Sequence, residues 1–308
     1  MMLRIESVSY QKNQRYLIKD ISFSAKSGEI ITILGANGAG KSTLMSMLSG
    51  ERKPSSGRVM IDGKEISGYS RKELATKRAM LLQQNPISIG FSAYEVTMMG
   101  RYGKYRNQPG PADKRAVAES MEICGLNNFA ERSMLTLSGG EQQRVHLART
   151  LAQVWDSHQA LIILDEPINN MDMQYQHQSL AIAKALAKKG FIVIMVLHDV
   201  NLAAQYANRI IMMKDGRKWW DGAPAEVLTP QHMFTAFSVH ALTHTDLRSL
   251  KTIVVPKEII LDASTFNTNF AKTAETKADP EKLAALHVKE NIHFNEQLNN
   301  LTYQISNG

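Results

Sequence analysis

Cysteine is almost missing from this 308-residue chain: Cys124 stands alone, which excludes an internal disulfide framework and fits a reducing compartment. Long apolar runs are missing too. The longest, 161–164 and 191–197, fall far short of the roughly 18–20 residues needed to cross a bilayer. No charged segment followed by an apolar one opens the chain, so secretion is not expected and the cytoplasm is. Charge of one sign is nowhere concentrated. The formal net charge is +7, and residues 257–308 hold five lysines against seven acids, which leaves +9 on the rest. Those basic residues are scattered, with no block of five or six. The pattern is that of a solvated surface with some ligand-facing cations, and no nucleic-acid partner is expected. What remains is the composition of an ordinary globular protein, 44% apolar and 21% charged, long enough for one large domain or two smaller ones.

The first 30 residues alternate apolar and polar, as in Leu3-Arg4-Ile5-Glu6-Ser7-Val8, and predict an antiparallel sheet with one wet face. The run Glu29–Leu34, ending at Gly35, reads as a strand buried on both faces. Two similar runs end at Asp165 and His198. Between these lies a helical stretch, Gln174–Lys189, stopped by Gly190. Strand, helix and strand at this spacing form a βαβ unit, hence a mainly parallel α/β sheet. Residues 86–135 are rich in glycine and proline and contain a helical pattern from Asp113 to Cys124. They predict an inserted helical subdomain, about 86–150 in all. A domain over 1–256 is followed by an extension, 257–308, with a helix expected at Glu281–Lys289 and no assigned role.

Gly35-Ala36-Asn37-Gly38-Ala39-Gly40-Lys41-Ser42-Thr43 lies between a buried strand and a helix and has the spacing of a phosphate-binding loop. Its glycines let backbone N–H groups converge on phosphate oxygens, and the helix start adds positive potential. Lys41 is expected to reach the β- and γ-phosphates and Ser42 to ligate Mg²⁺, so ATP or GTP is bound. Asp165 and Glu166 close a strand at the sheet edge where open α/β sheets bind ligands. Successive residues of a strand face opposite ways, so the two acids take different jobs: Asp165 partners Mg²⁺ through water, and Glu166 accepts a proton from the attacking water.

Leu137-Ser138-Gly139-Gly140-Glu141-Gln142-Gln143-Arg144 is a second anion-binding pattern, a serine and two glycines opening a helix. With the phosphate loop and the paired acids in this order, the chain resembles the ABC ATPase family over residues 1–256. The resemblance implies a P-loop NTPase core with an N-terminal antiparallel subdomain and an inserted helical one. It implies ATP and Mg²⁺ as cofactors, and a head-to-tail homodimer in which each ATP lies between the phosphate loop of one copy and Ser138, Gly139, Gly140 and Glu141 of the other. It further assigns Gln83, with Gln84 one residue away, to sensing Mg²⁺ and water. His198 falls at the γ-phosphate switch and Asp172 in the loop crossing the dimer interface. Tyr10, or else Tyr16, falls at the adenine. At Asn169 the family more often has serine.

Within that family the chain resembles importers of iron-siderophores, haem and vitamin B12. The resemblance is carried by Met98-Met99-Gly100-Arg101-Tyr102, by 198–204 and by Pro224-Ala225-Glu226-Val227-Leu228. The run Leu151-Ala152-Gln153-Val154-Trp155 and the insertion after it resemble the haem importers in particular. Such a subunit would sit peripherally on the cytoplasmic face of a bacterial inner membrane. It would work with two permease subunits, received near 86–106 by a groove that Met98 and Met99 line, and with a substrate-binding protein outside. His287 and His293 are read as solvated. A ferric siderophore or vitamin B12 is the alternative cargo. A soluble ATPase acting on nucleic acid or the ribosome is the alternative class, opposed by the absence of a second phosphate loop and of a lysine-rich arm.

Overall fold

A computed structural model describes residues 1–82, 90–246 and 248–258. The alternating N-terminal stretch forms β1 (Met2–Lys12) and β2 (Arg15–Lys26), which pair antiparallel. The buried run after them is β3 (Ile30–Leu34). The hairpin of β4 (Ser56–Ile61) and β5 (Lys64–Glu65) completes a four-stranded sheet in the order β2-β1-β4-β5. Leu3 and Ile5 on β1 are wholly covered, while Arg4 and Glu6 face away, as the period-two pattern requires, and a bulge at Ser7 then brings Val8 onto the covered face.

The remaining strands are β6 (Arg78–Leu81), β7 (Leu161–Asp165), β8 (Ile192–Val196), β9 (Arg209–Lys214), β10 (Arg217–Gly222), β11 (Ala241–Thr245) and β12 (Thr252–Pro256). Six strands build the central sheet in the order β10-β9-β3-β8-β7-β6, parallel throughout except for β10 at its edge. Why β3, β7 and β8 are buried at every position and almost wholly apolar follows from the core. Ile162 and Leu164 of β7 point into one hydrophobic cluster, shared with the helical side of the molecule. Leu161 and Ile163 point into another, shared with the N-terminal sheet. A sheet covered on both faces needs apolar residues on both.

The helices are α1 (Lys41–Leu48), α2 (Arg71–Lys77), α3 (Ala93–Met98), α4 (Pro111–Ile123), α5 (Gly139–Val154), α6 (Met173–Lys188), α7 (Val200–Tyr206), α8 (Pro224–Val227) and α9 (Pro230–Phe237). Helices α3 and α4 pack on α5 as the inserted helical layer. Arg101, almost fully buried, fastens that layer. Its Nε donates to Asp113 Oδ1 at 2.9 Å, and its Nη1 donates to the Ala152 carbonyl at 2.9 Å and to Asp156 Oδ1 at 2.7 Å. Met98 is buried in this layer's core and Met99 packs partly against it, so Met98 fills the core rather than lining a groove.

The hairpin β11–β12 has no counterpart in the sequence reading. The side chain of Asn201 on α7 closes the outer edge of β12, accepting from Val254 N at 2.8 Å and donating to its carbonyl at 3.0 Å. The helix expected at Glu281–Lys289, His287 and His293 lie outside the described residues. Among the described residues no helix is long and apolar enough to cross a membrane.

Candidate active site

Three adjacent strands end at one edge. Val196 of β8 pairs with Ile33 of β3 on one side and with Asp165 of β7 on the other, so Gly35, Asp165, Glu166 and His198 emerge side by side. The loop Gly35–Gly40 then turns into α1. Gly40 is the N-cap of that helix at φ 96°, and a Cβ there would stand 2.7 Å from the Leu17 carbonyl oxygen. Only glycine satisfies both the left-handed backbone and that close approach.

Leu17, Asn37, Gly38, Gly40, Lys41, Ser42, Thr43 and Glu166 line a cavity of about 320 Å³. Lys41 is 7% exposed, and its ammonium donates to the Gly35 carbonyl at 2.7 Å and the Ala36 carbonyl at 3.1 Å. Burial lowers its pKa, while the charges of Glu166 and Asp165 act the other way. Ala39 is buried beneath the loop, and its carbonyl accepts from Gly216 N at 3.2 Å.

Asp165 is 4% exposed, and its Oδ1 has no hydrogen-bond partner among the described residues. Burial lifts its carboxyl to about 6, with the Glu166 charge pushing the same way and Lys41 and His198 pulling against it. An orphaned, desolvated carboxylate oxygen next to a cluster of phosphate-binding groups is what a Mg²⁺ site supplies. The hard oxygens of Asp165 and of the Ser42 hydroxyl therefore fit that ion. Gln83, the third expected ligand, and Gln84 lie outside the described residues.

Glu166 leaves the strand into a left-handed turn at φ 52°, a conformation that favours glycine or asparagine. Its Oε1 lies 2.6 Å from His198 Nε2, and its Oε2 accepts from Asn169 Nδ2. The His198 side chain is 47% exposed and, with Glu166 and Asn169, lines a second cavity of about 210 Å³. The Asn169 contact was not foreseen. The only signal for it in the sequence was the departure from serine at that position.

Other candidates stand apart. Ser138 caps α5 in a closed box: its backbone N–H donates to Glu141 Oε2 at 2.7 Å, and its hydroxyl accepts from Glu141 N at 3.3 Å. Gly140 admits the 169–172 loop, since a Cβ there would meet the Asn170 carbonyl oxygen at 2.6 Å. Gly139 lies beside the Asn170 side chain. Asp172 caps α6, accepting from Tyr175 N at 3.1 Å. None of Ser138, Gly139, Gly140, Glu141 and Asp172 lines the cavity that holds Lys41. Neither does Tyr10, whose half-buried ring has the Arg52 guanidinium 4.8 Å from its centroid, nor Tyr16, 48% exposed.

Comparison with known proteins gives a consistent picture. The family described as ABC transporter matches residues 18–169. The hemin import ATP-binding protein HmuV of Gloeobacter violaceus is 39% identical over 258 residues, covering 83% of this chain and 94% of that protein. The protein of the same name from Rhodopseudomonas palustris is 39% identical, covering 80% and 91%. A solved bacterial ABC transporter cassette, dimeric in its structure, superposes with TM-score 0.65 at 29% identity, over 72% of this chain and 98% of that one.

Proposed function

Since this chain belongs to the ABC transporter family and is an ATPase, we propose that it drives import of haem across a bacterial inner membrane. Two copies act head to tail on the cytoplasmic face, bound to two permease subunits and fed by an external substrate-binding protein. One observation carries the dimer: the phosphate loop, Ser42 and Glu166 line one cavity, while Ser138–Glu141 of the same chain lie outside it. A second copy is then the source of the missing wall. The cargo is carried by the relatives called hemin import proteins, together with the segment 151–155 and the insertion after it.

The loop N–H groups and Lys41 bind the phosphates of ATP, and Asp165 with Ser42 holds Mg²⁺. When bound, that ion offsets the charge that develops on the β- and γ-phosphate oxygens. Glu166 orients a water and takes its proton as the oxygen attacks the γ-phosphorus and the bond to ADP breaks. His198 holds the carboxylate from one side. The γ-phosphate links both copies, so its release reopens the pair. This opening does work only because permease states differ in affinity for the closed dimer.

The Glu166→Gln variant is expected to bind ATP normally and to accumulate as a nucleotide-bound dimer in size-exclusion chromatography. Near-normal turnover in that variant would remove Glu166 as the base. In the assembled transporter, haem is expected to stimulate ATP hydrolysis. Stimulation by a ferric siderophore or vitamin B12 instead would reassign the cargo.

A further inference from the structure

The turn after β7 does more than lead the chain toward α6. Glu166 is 7% exposed, and both of its carboxylate oxygens are engaged, Oε1 by His198 and Oε2 by Asn169. The two partners come from different elements, one following β8 and one in the loop that precedes α6. Together they fix the rotation of the carboxylate about its last bond, which a single partner would leave free. The backbone is tied as well: Gln143 Nε2 on α5 donates to the Glu166 carbonyl at 3.3 Å. The loop itself is pressed against the start of α5, because Gly140 leaves no room for a Cβ before the Asn170 carbonyl. Asn169 is therefore held on two sides and has little freedom to swing away.

The residue type matters. An ionised carboxylate only accepts hydrogen bonds, so the partner must donate, and an asparagine amide offers two N–H donors on a short stiff arm. Aspartate in its place has the same shape and no donor, and it would set like charges against each other.

We propose that Asn169 is a positioning residue for ATP hydrolysis, its amide holding the Glu166 carboxylate in the orientation from which that group takes the proton of the attacking water. This rests on the reading of Glu166 as the base. It goes beyond that reading by naming what aims it. Misplacing a reacting group by a fraction of an ångström lowers the rate of the chemical step while leaving nucleotide binding intact.

Steady-state ATP turnover tests this in the full chain, comparing wild type, Asn169→Ala, Asn169→Asp and both changes combined with Glu166→Gln. Asn169→Ala is expected to lower kcat about tenfold with KM for ATP changed less than twofold. Asn169→Asp, matched in size, is expected to fall further than alanine. In the Glu166→Gln background neither change is expected to alter the residual rate more than twofold, since the group they act through is gone. Unchanged kcat in Asn169→Ala overturns the proposal, and so does KM rising in step with the loss of rate. Equal losses with and without Glu166 would also overturn it, because they would mark a merely structural role. Where the alanine variant does not fold, the isosteric aspartate decides alone. Absence of turnover in wild type, or full turnover in Glu166→Gln, would instead strike the underlying reading.

Discussion

Asp165 shows how much chemistry one side chain takes from its surroundings. Its carboxyl rises to about 6 because it is desolvated and faces Glu166. A group raised in the folded state contributes stability that is fully present below its unfolded pKa and is lost as pH climbs through the folded one. In the Mg²⁺-free protein Asp165 is thus a liability at pH 7–8. Asp165→Asn is expected to raise the melting temperature there. The gain should shrink as pH falls below 6 and vanish near pH 4. Thermal unfolding across that range checks it, and a gain independent of pH would contradict the assignment. Lys41, Asp165 and Glu166 were legible because their motifs fix both neighbours and spacing. The Asn169–Glu166 contact was not, because it depends on a left-handed turn at Glu166, and no pattern of residue types announces that backbone angle.

At the scale of the element, α5 carries two burdens at its N-terminus: it presents Ser138 and Gly139 outward, and it abuts the 169–172 loop. Gly140→Ala places a methyl group 2.6 Å from the Asn170 carbonyl oxygen, so one of the two must move. Denaturant unfolding is expected to show a loss of about 1–3 kcal/mol, with ATP turnover lowered because the same shift displaces Asn169. Arg101 plays the matching part inside the helical layer. Arg101→Ala leaves Asp113 buried without its cation and is expected to cost about 3–5 kcal/mol, read from the same measurement. Strands β3, β7 and β8 and helix α6 could be read from apolar runs and a glycine stop, whereas β9, also inside the sheet, has no such reading. Helix α6, expected over 174–189, occupies Met173–Lys188. The hairpin β11–β12 went unread. Its run Thr252-Ile253-Val254-Val255 is β-branched throughout, yet its pairing depends on Ala241–Thr245 and on Asn201, some fifty residues earlier in the chain.

For the molecule as a whole, the separation of Ser138 from Lys41 makes a head-to-tail pair testable without any structure of it. A Lys41→Ala chain and a Ser138→Arg chain should each be inactive. Mixed, they form heterodimers in which one site joins an intact phosphate loop to an intact Ser138 loop. Turnover is expected to recover to roughly a quarter of wild type, half of the pairs having one good site of two. No recovery on mixing would argue that each chain completes its own site. The sequence by itself determined three of the central sheet's buried strands and singled out the glycine loop 35–40 and the acids Asp165 and Glu166, since these depend on residue type at short spacing. Only the tertiary structure decided which of the named residues share a cavity. It gathered Lys41, Ser42 and Glu166 around one cavity, set Asn169 and His198 on either side of the Glu166 carboxylate, and left the Ser138 loop outside that cavity. Contacts between distant segments follow from strand order and backbone turns, and neither is written in local pattern.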